Sequence, residues 1–270
     1  MIDFSKVKLV VSDMDGTLLN SQGQVSKQFF NLFKELKKRN ITFCAASGRQ
    51  HNSIVDKLST IKDDIYIIAE NGGVAKKGEQ VLLSNYLNQE KALKLIPILR
   101  KIKGANMVLC CNNAAFIEST DALFIELFQE YYHSFKVVDD LLEIPKTNPV
   151  FKIAVYHFDS SEEFIYPEIK HLKEEVLLKV SGKNWLDISD EKANKGNALR
   201  ELQKLLNITK AATMVFGDYH NDLEMLQEAH FSFAMKNAHA DIKELANFST
   251  ESNDAFGVER ILEKVLKGTP

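Results

Sequence analysis

The chain has 270 residues, 45% of them hydrophobic and 26% charged, which suits one large soluble domain or two ordinary ones and excludes a disordered, collagen-like or coiled-coil chain. Lys and Arg total 34 against 37 Asp and Glu, a net charge of -3 without the cationic excess that binds a phosphate backbone, so nucleic acid is not an expected partner. The three cysteines, Cys110 and Cys111 adjacent among them, argue against a disulfide framework. The first residues lack the pattern of a secretory leader, and no apolar run approaches the ~20 residues of a membrane helix. A cytoplasmic protein without membrane contact is expected.

In chain order, Val7–Ser12 reads as a buried strand. Phe29, Leu32, Phe33 and Leu36 mark an amphipathic helix over Ser26–Arg39, with its lysines on the other face or at its cationic end. Ile41–Ala46 is a second strand, Ser53–Thr60 a weaker helix and Ile65–Ala69 a third strand. Short β-rich runs alternating with helical segments are the pattern of a parallel α/β sheet. After Asn85 the texture changes to a helix over Gln89–Lys101, strands at Met107–Cys111 and Ala115–Glu118, and a helix over Ala122–Tyr132. Val150–Phe158 is a further strand. Ser160 with Glu163 suggests a capping box, while Pro167 places the helix start later. Val176–Val180 and Trp185–Ile188 are strands joined at Gly182. The helix Gly196–Leu206, strand Thr213–Phe216, helix Asp222–Ala229, strand Phe231–Ala234, helix His239–Ala246 and a last helix through Val258–Val265 resume the first texture. The expected organisation is an α/β core of residues 1–83 and 185–270, with an α+β domain inserted at 84–184.

In a parallel α/β sheet, ligands bind beyond the carboxyl ends of the strands. Four apolar runs end in polar groups: Asp13-Met14-Asp15-Gly16-Thr17, Ser47-Gly48-Arg49, Glu70-Asn71-Gly72-Gly73, and Gly217-Asp218 with Asn221-Asp222. Each alone is a common turn or cap sequence; four on one sheet edge point to a site. Asp13, Asp15, Asp218 and Asp222 would be neighbours, and unit charges about 4 Å apart repel by about 4 kcal/mol at an effective dielectric near 20. A cation must therefore sit among them, and an oxygen-only ligand set suits Mg²⁺. Lys195, at the start of a helix where a cation gains nothing from the macrodipole, is the expected lysine of a phosphoryl-transfer site. His220 reads as an exposed loop residue.

These four marks, Asp13-Met14-Asp15-Gly16-Thr17-Leu18, Ser47-Gly48-Arg49, Lys195-Gly196 and Gly217-Asp218-Tyr219-His220-Asn221-Asp222, resemble those of the haloacid dehalogenase superfamily. The resemblance is to the Cof-type sugar-phosphate phosphatases of subclass IIB, and covers essentially the whole chain. It implies a Rossmann-like parallel-sheet core with an inserted α/β cap, Asp13 as nucleophile and Asp15 as general acid and base. It also implies Mg²⁺ held by Asp13, the Asp15 backbone carbonyl and Asp218, with Asp222 close behind. Ser47, Gly48, Arg49, Asn71, Lys195 and Asn221 would then contact phosphate or substrate. Two departures stand out. Lys236 occupies a usual glycine position, implying a different backbone or an extra cation facing the site, and Asn253–Val258 differs from the usual approach to the last helix.

The cap should set specificity. Lys152 and His157 fall on opposite faces of one strand, so only one can face inward. Lys183, Asn184 and Trp185 are further candidates, with Trp185 expected partly buried between the domains. The implied partner is a small phosphorylated metabolite, a sugar phosphate first, acted on by a monomer or weak homodimer. A phosphatase of FMN or pyridoxal phosphate, a phosphomutase, and a sensor without turnover remain alternatives.

Overall fold

The computed structural model describes residues 3–268 apart from 113, 130 and 133. Its strands in chain order are β1 (Leu9–Asp13), β2 (Thr42–Ala46), β3 (Tyr66–Ala69), β4 (Val74–Lys77), β5 (Gln80–Ser84), β6 (Ala105–Cys111), β7 (Ala115–Ile117), β8 (Phe135–Val137), β9 (Val150–His157), β10 (Leu177–Val180), β11 (Trp185–Ser189), β12 (Thr213–Gly217), β13 (Phe231–Ala234) and β14 (Phe248–Ser249). Its helices are α1 (Lys27–Lys38), α2 (His51–Lys57), α3 (Gln89–Leu99), α4 (Ala122–Gln129), α5 (Ile144–Thr147), α6 (Ser161–Phe164), α7 (Tyr166–Ile169), α8 (Lys195–Leu206), α9 (Leu223–Gln227), α10 (Ala240–Leu245) and α11 (Gly257–Lys267).

β1 is buried at every position, which requires cover on both faces. The first sheet has the order β14-β13-β12-β1-β2-β3-β4-β5, parallel through β3 and then antiparallel. Because β1-α1-β2 steps one way and β12-α9-β13 the other, right-handed crossovers put α1 and α9 on opposite faces. α11 packs with α1 and α8 with α9, completing the two outer layers. Phe29, Phe33 and Leu36 of α1 are buried, and Ser26 caps the helix by accepting from the Phe29 N–H.

The second sheet has the order β10-β11-β9-β6-β7-β8, antiparallel except between β7 and β8. β9 alternates: Ile153 and Val155 join one apolar cluster with Leu95 and Ile169, while Ala154 and Tyr156 join another with Phe124 and Phe128 of α4. β11 pairs with β9 and β10, so the return to the first sheet comes after Ser189, later than the expected 185. The strand's apolar alternation is the same in either sheet, so pairing alone assigns it.

The β4–β5 hairpin, β8 and β14 were not foreseen; each is short or carries a weak apolar signal. Near residue 160 the cap half of the expected capping box and the later proline start each belong to a separate short helix. Ser160 accepts from the Glu163 N–H over α6, and Pro167 lies in the first turn of the separate helix α7. The three cysteines are free and buried. Among the described residues no helix is long and apolar enough to cross a membrane.

Candidate active site

The polar groups after β1, β2, β3 and β12 meet at the carboxyl edge of the first sheet. Asp13 ends β1 and is 5% exposed. The chain then turns sharply, with Gly16 at φ 74, and a Cβ there would lie 2.3 Å from Asp218 Oδ2. Glycine is thus required both by conformation and by the approach of that carboxylate. Thr17 Oγ1 donates to Asp218 Oδ1 at 2.8 Å, and the backbone N–H of His239 donates to the Asp218 carbonyl at 2.9 Å. Asp222 Oδ2 accepts from the Asp218 N–H at 2.9 Å.

Carboxylate oxygens of Asp13, Asp218 and Asp222 lie within 4.8 Å of one another. Lys195, fully buried at the start of α8, donates to Asp13 Oδ1 at 2.5 Å and to Asp222 Oδ1 at 2.7 Å. Burial pushes Asp13 well above the usual carboxylate range; Lys195 opposes this, and Asp222 and Asp218 add to it. Burial and then Asp222 raise Asp218 to about 7. Burial works against the Lys195 ammonium, yet Asp13 and Asp222 outweigh it and raise its pKa. Three carboxylates face one ammonium, an excess of negative charge that a divalent cation would cancel, and an all-oxygen donor set fits Mg²⁺. The expected side-chain ligands Asp13 and Asp218 are therefore together, with Asp222, expected close behind them, in the same cluster.

Asp15 points away from this cluster, its side chain 44% exposed, and both its oxygens are held by Arg49, through Nε at 2.7 Å and Nη2 at 2.6 Å. Arg49, expected among the substrate contacts, lines the cavity but is committed to Asp15, with Tyr131 stacked 4.6 Å from its guanidinium carbon. Ser47 is buried, and its Oγ accepts from the Arg49 N–H at 3.1 Å. Asn71, in a left-handed conformation after β3, accepts from Asn221 Nδ2 at 2.9 Å and donates to Asp187.

A cavity of about 340 Å³ runs from Asp13, Asp15, Ser47 and Gly48 up to the second sheet. Asn221 lines it too, whereas Lys195 and Asp222 lie beneath its surface. Its upper wall is aromatic: Tyr131, Tyr132, Tyr156 and Trp185. Trp185 packs on Tyr156 at 4.9 Å and on Tyr131 at 5.7 Å, so it belongs to the cap's own wall. The tyrosines had no signal of their own; their helical and strand spacing reads equally as core.

Lys152 faces inward as one of the two expected possibilities, while His157 stacks on Phe164 at 4.5 Å on the other face. Lys183 sits exposed on the rim. Asn184 also borders the cavity, but its Nδ2 donates to the carbonyls of His157 and Phe158, both at 2.8 Å. Two expectations need correction. The Lys236 side chain is 73% exposed with Nζ 3.5 Å from Glu251, so it adds no cation to the site. His220 is half-buried, its Nε2 2.9 Å from Asp241, because the turn around Asp218 packs against α10.

Residues 10–262 match the haloacid dehalogenase-like hydrolase family. The chain is 31% identical over 268 residues to 5-amino-6-(5-phospho-D-ribitylamino)uracil phosphatase of Escherichia coli strain K12, covering 97% of each chain. It superposes on the structure of SMU.1108c from Streptococcus mutans with a TM-score of 0.90 and 27% identity, covering 97% of this chain and 99% of that one. It shares its fold with BT4131, described as a subclass IIB sugar phosphatase, at a TM-score of 0.83 and 21% identity over 95% and 98% of the two chains. With the motifs resting on one sheet edge beneath a second sheet, the chain belongs to the haloacid dehalogenase-like hydrolases, as a phosphatase of the capped, Cof-type branch.

Proposed function

We propose that this phosphatase is Mg²⁺-dependent, forms an aspartyl-phosphate on Asp13, and acts on phosphomonoesters of small metabolites, sugar phosphates foremost. The observation that carries this reading is the triad of Asp13, Asp218 and Asp222 around Lys195, opening on a cavity sized for a small molecule. Asp13, Asp218 and the Asp15 carbonyl would hold the ion, with Asp222 close behind them bonded to Lys195 and to the Asp218 N–H; bound there, the ion would neutralise charge on the phosphoryl oxygens. Burial disfavours ionised Asp13, so Lys195 serves to keep the nucleophile charged. An Asp13 oxygen forms a bond to phosphorus as the ester P–O bond breaks, and Asp15 gives its proton to the departing oxygen. Asp15 then takes a proton from the water that cleaves the acyl phosphate, and Asp13 is restored. Ser47 and Asn221 line the cavity wall, which supports reading them as phosphate contacts.

One observation favours a second, narrower reading: the aromatic wall suits a leaving group that carries a flat ring beyond its phosphorylated chain. The similarity to a phosphatase of a phosphoribityl-aminouracil supports the same chemistry, and a phosphorylated cofactor such as FMN or pyridoxal phosphate would share it. Phosphate release from a panel of phosphomonoesters, with and without Mg²⁺ and with Asp13→Asn, tests the proposal. Turnover insensitive to both changes would overturn it. Isomerised sugar phosphate in place of free phosphate would identify a mutase, and a thermal shift without turnover a sensor.

A further inference from the structure

The three carbonyls of Ser47, Gly48 and Arg49 are bonded to two different parts of the molecule. The Asn71 N–H donates to Ser47 O at 3.0 Å and the Glu70 N–H to Arg49 O at 3.1 Å, both from the loop that follows β3 of the same sheet. Gly48 O instead accepts from Nζ of Lys152 at 2.7 Å, across the cavity from β9 of the cap. Lys152 is 2% exposed, and an ammonium buried to that degree costs several kcal/mol unless it is paired. Its partners are Asp187 Oδ2 of β11 at 3.0 Å and Glu70 Oε2 of the core at 3.3 Å. Burial raises the Glu70 pKa, Lys152 opposing it and Asp187 adding to it. From Asp187 the contacts continue through Asn71 to Asn221 beside the metal-binding turn.

A methionine or leucine would fill the same volume without desolvating a charge. What the lysine adds is a hold on the peptide between Ser47 and Arg49. The residue after that peptide carries the two bonds that fix both oxygens of Asp15. The cap touches Arg49 directly as well, through the Tyr131 ring. Gly48 permits the approach on its other side, where a Cβ would come within 3.0 Å of Asn71 Nδ2.

We propose that Lys152 is a positioning residue: by bonding Gly48 O from the cap, it sets the loop whose Arg49 orients Asp15 for proton transfer to the leaving group. This rests on Asp15 being the acid, as read above. A role confined to docking the cap would slow all substrates alike, whereas a role through Asp15 depends on the leaving group. The comparison is kcat/KM, which includes bond breaking to the ester oxygen, for p-nitrophenyl phosphate and for β-glycerol phosphate with Mg²⁺ present. Nitrophenolate departs without a proton; the glycerol alkoxide needs one.

Asp15→Asn should lose about 100-fold or more on β-glycerol phosphate beyond its loss on p-nitrophenyl phosphate, within the range for one general acid. Lys152→Met should lose about 10-fold more on the glycerol ester than on the aryl ester, and Lys152→Arg should recover most of that difference. Equal losses on both esters in Lys152→Met, alongside a selective loss in Asp15→Asn, would overturn the proposal. An unselective Asp15→Asn would instead overturn the acid role of Asp15. Should Lys152→Met fail to fold, Lys152→Met combined with Asp187→Asn, which also removes the donor to Gly48 O but leaves no Asp187 charge unpaired, takes its place, and equal losses there overturn the proposal in the same way.

Discussion

Replacing Lys195 with methionine keeps most of the aliphatic volume and removes the one ammonium bonded to Asp13 and Asp222. Lys195 and Asp222 side chains are 0% exposed and that of Asp13 is 7% exposed, so water cannot take over the lost interaction. Removing one partner of a buried pair typically destabilises by about 3–5 kcal/mol. The sign of the pH dependence follows from Asp13 and Asp218, both raised in the folded state above their ordinary value of 3.8, Asp218 to about 7. The folded protein therefore holds more protons than the unfolded chain between these limits. Stability from these groups is fully present below about pH 4 and is lost as pH rises through their folded values. Without Lys195 the carboxylates escape repulsion only by protonation, so the variant's deficit grows with pH. Urea unfolding of both proteins at about pH 5 and about pH 8 without Mg²⁺ measures it, with about 3 kcal/mol or more expected at the higher pH and less at the lower. Mg²⁺ at about 100 times its Kd should return about 2.7 kcal/mol in the wild type. A Lys195→Met deficit below about 1 kcal/mol at pH 8, or one that shrinks as pH rises, would refute the charge accounting.

Asp13→Asn should abolish turnover yet raise the metal-free unfolding free energy at about pH 8, because burial and the neighbouring carboxylates disfavour the ionised form where it stands; a less stable variant would contradict this. Gly16→Ala places a methyl 2.3 Å from Asp218 Oδ2 at a φ of 74, and displacing that carboxylate should lower kcat by about 100-fold. Activity within twofold of wild type would show that the turn tolerates a side chain. Trp185→Ala removes one face of the aromatic wall and should raise KM by about 10-fold for a ring-bearing phosphomonoester, from about 1–1.5 kcal/mol of lost ring contact, while leaving β-glycerol phosphate unchanged. Equal effects on the two substrates would assign the ring to packing alone.

The strands and helices of the first sheet were legible because their signals are local. β1 opens on the apolar run Leu9-Val10-Val11, α1 repeats its apolar residues at helical spacing, and β13 falls on its expected residues. The candidate site was legible for a related reason: in a parallel sheet the carboxyl ends of the strands share one edge, so Asp13, Ser47, Asn71 and Asp218 could be brought together from element order alone. Lys195 stood out because its place at a helix start runs against the macrodipole, and its burial between Asp13 and Asp222 supplies the reason.

Which groups pair across the sheets depended on tertiary structure, since nothing local distinguishes the partners. Trp185–Ser189 has the same alternation whichever sheet it joins, and only its pairing with β9 places it in the cap. Arg49 reads as a phosphate contact until the bend at Gly16 turns Asp15 toward it. Asp187 looks like an ordinary polar position in a strand and Glu70 like an ordinary strand-end acid, yet they surround a buried lysine 35 and 82 residues away in sequence. The residues of the catalytic edge follow from chain order. The contacts of the cap with that edge follow from side-chain direction and from the need to pair every buried charge, and both are set only when the two sheets meet.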